Sequence, residues 1–199
     1  MKIPDDMTDR WPRFELEIFQ EPTGIPNEWD AELLAKGAPK GLVGGRYKAL
    51  SGLTLLEVPN YGPLVRFGSH MLCGAVCLDP RSGAIVDIGY VETETAYLPR
   101  GFIGSPSLVN SSLDQFITSV RAVIARFPYD SGEYNSDDVP DEVIDRFWDE
   151  CDRAVGEMRE ALRRIDPVAI YVDGFWETFL DDVQMGDFST ARIFRNTET

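Results

Sequence analysis

The sequence predicts an α+β protein in which an antiparallel β-sheet of about four to six strands packs against helices. Between residues 53 and 88, short apolar or β-branched segments follow one another with tight turns between them. No helix fits in those turns, which excludes parallel pairing through crossovers and favours an antiparallel meander. Amphipathic helical patterns begin only after residue 110.

The segment before the sheet is predicted to contain two short helices. The first would open at Trp11-Pro12 and end at Gly24, two residues before Pro26. Its inward-facing positions would be Phe14, Ile18 and Phe19. The second would run from Asn27 to Ala35. Residues 37–52 hold five glycines, so we expect mostly loop with a short strand at most.

Four strands are predicted for the sheet, at residues 53–58, 64–67, 71–78 and 84–88. Gly68-Ser69 would end the second strand. The third is apolar on both sides of an extended chain, so we expect it to be central and covered on both faces. Asp79 to Gly83 would form the hairpin turn that follows. Residues 90–98 are either a fifth strand or an acidic loop, and residues 99–106 are expected to be loop.

A strongly capped helix is predicted from Leu113 to Phe127. Its apolar residues fall on one face, with the spacing i, i+3, i+4 and i+7. Asn110 or Ser111 would cap its first turn, and Ser111 with Asp114 resembles a capping box. Pro128 would end it.

Two further helices are predicted near the C-terminus. After an exposed polar loop over 130–139, a long helix would begin around Pro140 and stop at Asp166-Pro167. Its apolar stripe would include Trp148 and Cys151. The last helix would carry an apolar face and a C-terminal cap at Gly186. That face consists of Phe175, Trp176, Phe179, Leu180 and Val183.

Length and composition indicate one globular domain. With 199 residues and 43% hydrophobic content, the chain can bury a sizeable core. We expect a flexible N-terminus over 1–10, a single domain over 11–189 and a tail over 190–199. Met1 to Trp11 contain no apolar signal-peptide segment, and no apolar run reaches the ~18 residues of a membrane span. Three cysteines without an export signal suggest a reducing cytoplasm.

The formal charge of −15 is unevenly distributed. Residues 130–182 contain 17 acidic and 5 basic side chains, which places −12 of that charge in about a quarter of the chain. Such a surface repels nucleic-acid phosphates and anionic lipids. It attracts a basic protein and speeds the encounter with it. An ordinary soluble acidic protein would have the same composition, and that interpretation stays open.

Few residues offer catalytic or metal chemistry. His70, the only histidine, is placed in a loop between two strands, where a surface role is favoured over catalysis. Cys73 and Cys77 would lie about 13 Å apart along a strand, too far for one metal ion or a disulfide. Cys151 would lie on a helix's apolar stripe. We therefore predict no catalytic, cofactor-binding or metal-binding residues.

Carboxylates are the candidates for partner binding. Asp141, Asp145 and Asp149 recur every four residues, a spacing at which like charges oppose helix formation by about 0.2–0.5 kcal/mol per pair. Glu142–Arg146, Asp149–Arg153 and Glu160–Arg164 would offset part of this. An acidic row that opposes its own helix fits a cationic partner, although a solvated face explains it equally well. The candidate set is Asp137, Asp138, Asp141, Asp145, Asp149, Asp181 and Asp182.

The densest group of carboxylates, Asp181, Asp182 and Asp187, allows a different hypothesis. Paired carboxylates beside aromatic residues are used by some hydrolases and divalent-metal sites. The simpler interpretation is that Asp181 and Asp182 lie on the polar face of the last helix. Convergence of these carboxylates in the fold would favour the hydrolase.

Several segments together resemble the SUKH superfamily of bacterial immunity proteins, and most closely its large actinobacterial-type branch. The likeness extends from about Trp11 to Ser189 and rests on turns, caps and packing residues in a fixed order, without a chemical signature. Residues 27–50 and 130–139 do not match the pattern. The segments that carry it are Thr23–Pro26, Leu64–Gly68, Cys77–Val86, Val109–Phe116 and Trp176–Phe188.

The resemblance implies an α+β fold and a role as a cytoplasmic immunity protein. Such proteins bind and neutralise a cognate polymorphic toxin, often a nuclease or a nucleic-acid deaminase, by occlusion and without catalysis. No family catalytic residues exist to be assigned to this chain. A regulatory or scaffold adaptor that binds a host protein is the alternative, and a small carboxylate-dependent hydrolase is a third possibility.

Overall fold

A computed structural model describes residues 13–20, 22, 24–71, 73–94, 100–133 and 139–190 of the chain. The described residues form seven strands and four α-helices. The strands are β1 (Leu16–Glu17), β2 (Ala38–Pro39), β3 (Lys48–Val58), β4 (Gly62–His70), β5 (Gly74–Leu78), β6 (Ile85–Val91) and β7 (Gly101–Asn110). The helices are α1 (Asn27–Lys36), α2 (Leu113–Ile124), α3 (Asp141–Ile165) and α4 (Phe175–Gln184).

The main sheet is an antiparallel meander, which confirms the predicted α+β class. Its five strands lie in the order β3-β4-β5-β6-β7, so each pairs with its neighbour in sequence. β5 is central, and its side chains enter two different apolar clusters. Val76 and Leu78 join the large core beneath the helices, whereas Ala75 and Cys77 pack in a smaller cluster on the other face. The prediction of a strand covered on both sides is therefore correct.

The predicted first helix is wrong where the chain is described. Residues 13–20 contain no helix, and within them β1 pairs with β2 in a separate two-stranded sheet. Phe19 is buried while Ile18 is exposed, as adjacent side chains of an extended chain require. Trp11 and Pro12, where the helix was expected to open, lie outside the described residues. The second predicted helix is confirmed as α1.

β3 and β4 are both longer than predicted. β3 begins at Lys48 inside the glycine-rich segment, and β4 continues through Gly68-Ser69 to His70. A Cβ atom at Gly68 would fall on the ring of Tyr47, so this glycine lets an aromatic ring approach the strand backbone. His70 is therefore the last residue of β4 and is not in a loop.

β7 occupies residues that were expected to be loop. Its pairing with β6 shifts register twice, between Ile85 and Val86 and between Asp87 and Gly89. Pro106 is tolerated within it because β7 is an edge strand of the sheet. Of the ambiguous segment 90–98, Tyr90 and Val91 end β6, residues 92–94 form a bend, and 95–99 are not described.

α2 begins at Leu113 as predicted, but its N-cap lies one residue beyond the predicted Ser111. Ser112 is the N-cap, and its hydroxyl accepts a hydrogen bond from the Gln115 backbone N–H. The Ser112 hydroxyl in turn donates to the Gln115 side-chain oxygen, and the helix ends at Ile124 instead of the predicted Phe127. Asn110 and Ser111 have another role, because both donate to the buried carboxylate of Asp166, just beyond α3.

The helices form two levels over the sheet. α2 and α4 contact β7, and α3 packs against α2 and α4. α3 and α4 confirm the predicted helices, with Pro140 just before α3 and Gly186 just beyond the C-cap Met185. Asp130 is buried and accepts from the Thr190 backbone and hydroxyl, so the loop predicted over 130–139 is not exposed throughout. No helix of the described residues is long and apolar enough to cross a membrane.

Candidate partner-binding surface

α3 has one face in the core and one in solvent. Its buried residues are Phe147, Cys151, Ala154, Val155, Met158 and Leu162. At about 100° per residue, Asp141, Asp145 and Asp149 fall within about 80° of the helix circumference, opposite that buried face. All three are exposed. The structure thus brings these three candidates together as one acidic row, which we call the α3 row.

Arg146, which lies within the span of the α3 row, pairs with a carboxylate outside it. Arg146 binds Glu133 in the preceding loop, not Glu142 as predicted, whereas the predicted Glu160–Arg164 pair forms at 3.3 Å. Within the described ranges, no ion pair involves Asp141, Asp145 or Asp149, so the predicted Asp149–Arg153 pair is absent too. The row therefore keeps its full negative charge for solvent or a partner.

The two carboxylates predicted on α4 differ in their surroundings. Asp182 pairs with Arg46 at 2.8 Å, and their side chains are only 20% and 7% exposed. This pair fixes α4 to the segment before β3. Asp181 is exposed and adds to the negative field around Arg159. Asp137 and Asp138 lie outside the described residues.

The carboxylates that suggested a hydrolase do not converge on a metal site. Among the described residues, no group of three or more histidine, cysteine, aspartate or glutamate side chains is arranged to hold a metal ion. Asp182 is held by Arg46, and the Asp187 backbone N–H donates to the Asp182 carbonyl. The described geometry thus gives the hydrolase hypothesis no support.

Trp148 is a feature of this surface that the sequence analysis assigned to the core. It was placed on the apolar stripe of α3, but 43% of it is exposed. It lies at the border between the buried face and the α3 row, with Asp145 three residues before it and Asp152 four residues after it. Those flanking aspartates are the sequence signal that could have shown that Trp148 reaches the surface.

The end of α4 meets α3 beside Trp148. The Gln184 side chain donates a hydrogen bond of 2.9 Å to Asp152. Gly186 lies against Phe147 and Trp148, since a Cβ atom there would come within 2.8 Å of the Phe147 ring and 3.9 Å of the Trp148 ring. Met185 lies between these two contacts and is 55% exposed. Trp148, which Gly186 contacts, and Met185, the residue before Gly186, are therefore both exposed near the junction of α3 and α4.

His70 and the buried cysteines Cys77 and Cys151 lie in packed surroundings. The Nδ1 atom of His70 lies 2.8 Å from Asp87, and the imidazole packs 5.0 Å from the Phe175 ring. Burial raises the pKa of the Cys77 thiol, and burial together with the charge of Asp130 raises the pKa of Cys151 to about 12. Both thiols are protonated at neutral pH and are poor nucleophiles.

The chain matches a known family over most of its length. A family model described as "SUKH-4 immunity protein" matches residues 10–182. This range includes the main sheet and almost all of the four helices. Neither a search of curated proteins nor a search of solved structures found a match.

Proposed function

The chain belongs to the SUKH-4 immunity protein family, and from this membership we propose that it binds and neutralises one cognate protein toxin in the cytoplasm. The toxin is a basic nuclease or nucleic-acid deaminase. The immunity protein acts by covering the toxin's nucleic-acid-binding surface and does no chemistry of its own. Its partner is the toxin alone, without nucleic acid, membrane or cofactor.

The α3 row is the observation that carries this proposal. Three carboxylates project from one exposed helix face and form no ion pair within the described ranges. A row of negative charge along a rigid helix resembles the charge pattern of a nucleic-acid backbone, which a nuclease or deaminase must attract. The row also weakens its own helix, a cost that partner binding would offset.

The probe for the first test is the toxin domain that we expect a gene neighbouring this one to encode. We expect it to bind with nanomolar or tighter affinity, and we expect the affinity to fall about tenfold or more as NaCl rises from about 50 mM to about 500 mM. Calorimetry or biolayer interferometry measures both. The double variant Asp145→Asn/Asp149→Asn should bind more weakly and show a smaller salt slope.

Glu57→Gln is the matched control, because Glu57 is an exposed carboxylate on β3 and not on a helix. It should leave the affinity and the salt slope unchanged. In cells that produce the toxin, the wild-type chain should protect growth. Absence of binding to the neighbouring toxin would overturn the proposal, and capture of a host protein in its place would support an adaptor. Binding that is indifferent to salt would overturn its electrostatic part.

A further inference from the structure

Trp148 is the largest side chain that the helical layer leaves open to solvent. Of the four tryptophans, Trp176 is fully buried, whereas Trp148 has 43% of its surface exposed on α3. Its ring is held from below by the Phe147 ring, with centroids 5.0 Å apart, and from the side by Gly186. An exposed aromatic ring that is already fixed in position loses little entropy when a partner covers it.

Met185, the C-cap of α4, is a second exposed apolar side chain near Trp148. The residues on either side of it contact α3, Gln184 through Asp152 and Gly186 through Phe147. Methionine adapts its shape to a partner because its side chain is unbranched. Trp148 and Met185 are thus two exposed apolar side chains on either side of Gly186, and we call these two residues together the Trp148 platform.

Carboxylates border the Trp148 platform. Asp145 and Asp152 lie one helical turn before and after Trp148, about 5–6 Å away between Cβ atoms. Both are exposed, and Asp152 is positioned by its hydrogen bond from Gln184. A ring face flanked by two carboxylates suits a guanidinium, which stacks on tryptophan and donates to carboxylates at the same time.

We propose that the Trp148 platform is the anchor of the toxin interface and that it receives an arginine side chain of the basic toxin. This inference rests on the proposed function and names the site within it. A second copy of this chain is a poor occupant, because it would bring the same carboxylates against each other. The positive charge of the arginine offsets part of the negative charge of Asp145 and Asp152, and its stem covers Met185.

Substitutions at Trp148 test the anchor and its chemistry. With the neighbouring toxin domain as probe, Trp148→Met should weaken binding roughly tenfold to a hundredfold, whereas Trp148→Phe should weaken it several-fold less. Met185→Ala should weaken it about threefold to tenfold. Acrylamide quenching of tryptophan fluorescence should fall when the toxin binds, and this protection should disappear in Trp148→Phe.

Val172→Ala is the control for general loss of exposed apolar surface, since Val172 is 83% exposed and lies before α4. It should bind like the wild type. Circular dichroism and melting temperature show whether each variant is folded, and Met185→Ala tests the platform without altering α3.

Two results would overturn the inference while leaving the proposed function intact. One is wild-type affinity in both Trp148→Met and Met185→Ala. The other is equal affinity of Trp148→Met and Trp148→Phe, which would exclude the arginine-on-ring contact. If the wild-type chain itself fails to bind the toxin, the proposed function fails first.

Discussion

Tyr47 shows how one buried hydroxyl is tolerated in an aromatic core. The ring is fully buried and meets Phe116 and Phe67 edge-on, with centroids 5.2 and 6.3 Å away. Its hydroxyl has no hydrogen-bond partner among the described residues. Burial, with a smaller effect of Glu17, raises the pKa of this phenol well above its ordinary value, so it stays neutral. The ring stabilises the core, and the hydroxyl opposes that effect.

Tyr47→Phe should therefore leave stability unchanged or raise it, by up to about 1 kcal/mol, because it removes an unsatisfied polar group and keeps the ring. Tyr171→Phe is the matched control, since the Tyr171 hydroxyl donates to the Leu108 carbonyl at 2.7 Å. That variant should lose about 1 kcal/mol. Urea unfolding measures both. A clear loss of stability in Tyr47→Phe would mean that the hydroxyl has a partner in solution.

Two glycines near the α3–α4 seam should respond to alanine in opposite directions. Gly156 lies inside α3 with open space around it, so Gly156→Ala should raise the free energy of unfolding by about 0.5–1 kcal/mol. Gly186 has a φ of +74°, and a Cβ atom there would meet Phe147. Gly186→Ala should therefore cost about 1–3 kcal/mol. Thermal or urea unfolding measures both effects. Equal effects of the two changes would contradict the close packing of Gly186 against Phe147.

At the scale of elements, the β5–β6 hairpin is held by one carboxylate. Asp79 accepts hydrogen bonds from the backbone and guanidinium of Arg81 at 3.0–3.1 Å and from the Tyr61 hydroxyl at 2.9 Å. Arg81 also stacks on the Tyr61 ring. Burial alone would raise the pKa of Asp79, but these donors together hold it below its ordinary value. The ionised form of Asp79 is therefore the form that stabilises this turn.

Asp79→Asn should lower the free energy of unfolding at neutral pH by about 1–2 kcal/mol, the lower end for a charged hydrogen bond because Arg81 is half-exposed. The folded-state pKa is depressed, so this contribution is complete above the ordinary carboxyl pKa near 4 and is lost as the pH falls through the folded value. The stability gap between wild type and Asp79→Asn should narrow below about pH 4. Urea titrations along a pH series measure it, and a constant gap would contradict the assignment.

The elements that the sequence predicted well are those with strong local signals. α2, α3 and α4 have clear apolar stripes, and the turn from Asp79 to Gly83 has typical turn residues. The errors fall where tertiary contacts override local preference. Gly68 permits a close approach of Tyr47, and Pro106 is tolerated at a sheet edge. Neither fact can be known before the strand order is known.

The candidate surface was predicted in part. The spacing of Asp141, Asp145 and Asp149 placed them correctly on one exposed face, because helical periodicity alone determines which residues of a helix share a face. Pairing depends on the rest of the fold, so Asp182 gave no local sign that it binds Arg46. Trp148 was assigned to the core, but an apolar residue at the edge of a helix's buried face can lie either in the core or at the surface. Whether any of these residues contacts a partner stays a prediction.

At the scale of the whole molecule, net charge and local ion pairs make opposite predictions for the effect of salt on stability. The chain carries −15, and folding concentrates this charge. Ion pairs of the helical layer oppose the repulsion, but several are largely exposed, including Arg126–Glu157 and Arg164–Glu160. Exposed pairs contribute about 0–1 kcal/mol each and are themselves screened by salt. The repulsion between the excess negative charges should therefore determine how stability responds to salt.

We accordingly expect the urea midpoint to rise as NaCl increases from about 50 mM to about 500 mM, the range over which toxin affinity should fall. At low salt the variant Asp145→Asn/Asp149→Asn should have a free energy of unfolding higher than wild type by a few tenths to about 1 kcal/mol, because it removes like charges four residues apart. It should also bind the toxin more weakly. Glu57→Gln, which removes one charge outside the helices, should change the low-salt stability less and leave binding unchanged.

A midpoint that falls with salt would mean that ion pairs such as Arg159–Glu177 outweigh the repulsion. Opposite signs for stability and affinity in one variant would identify the α3 row as a surface kept for binding at a cost to folding.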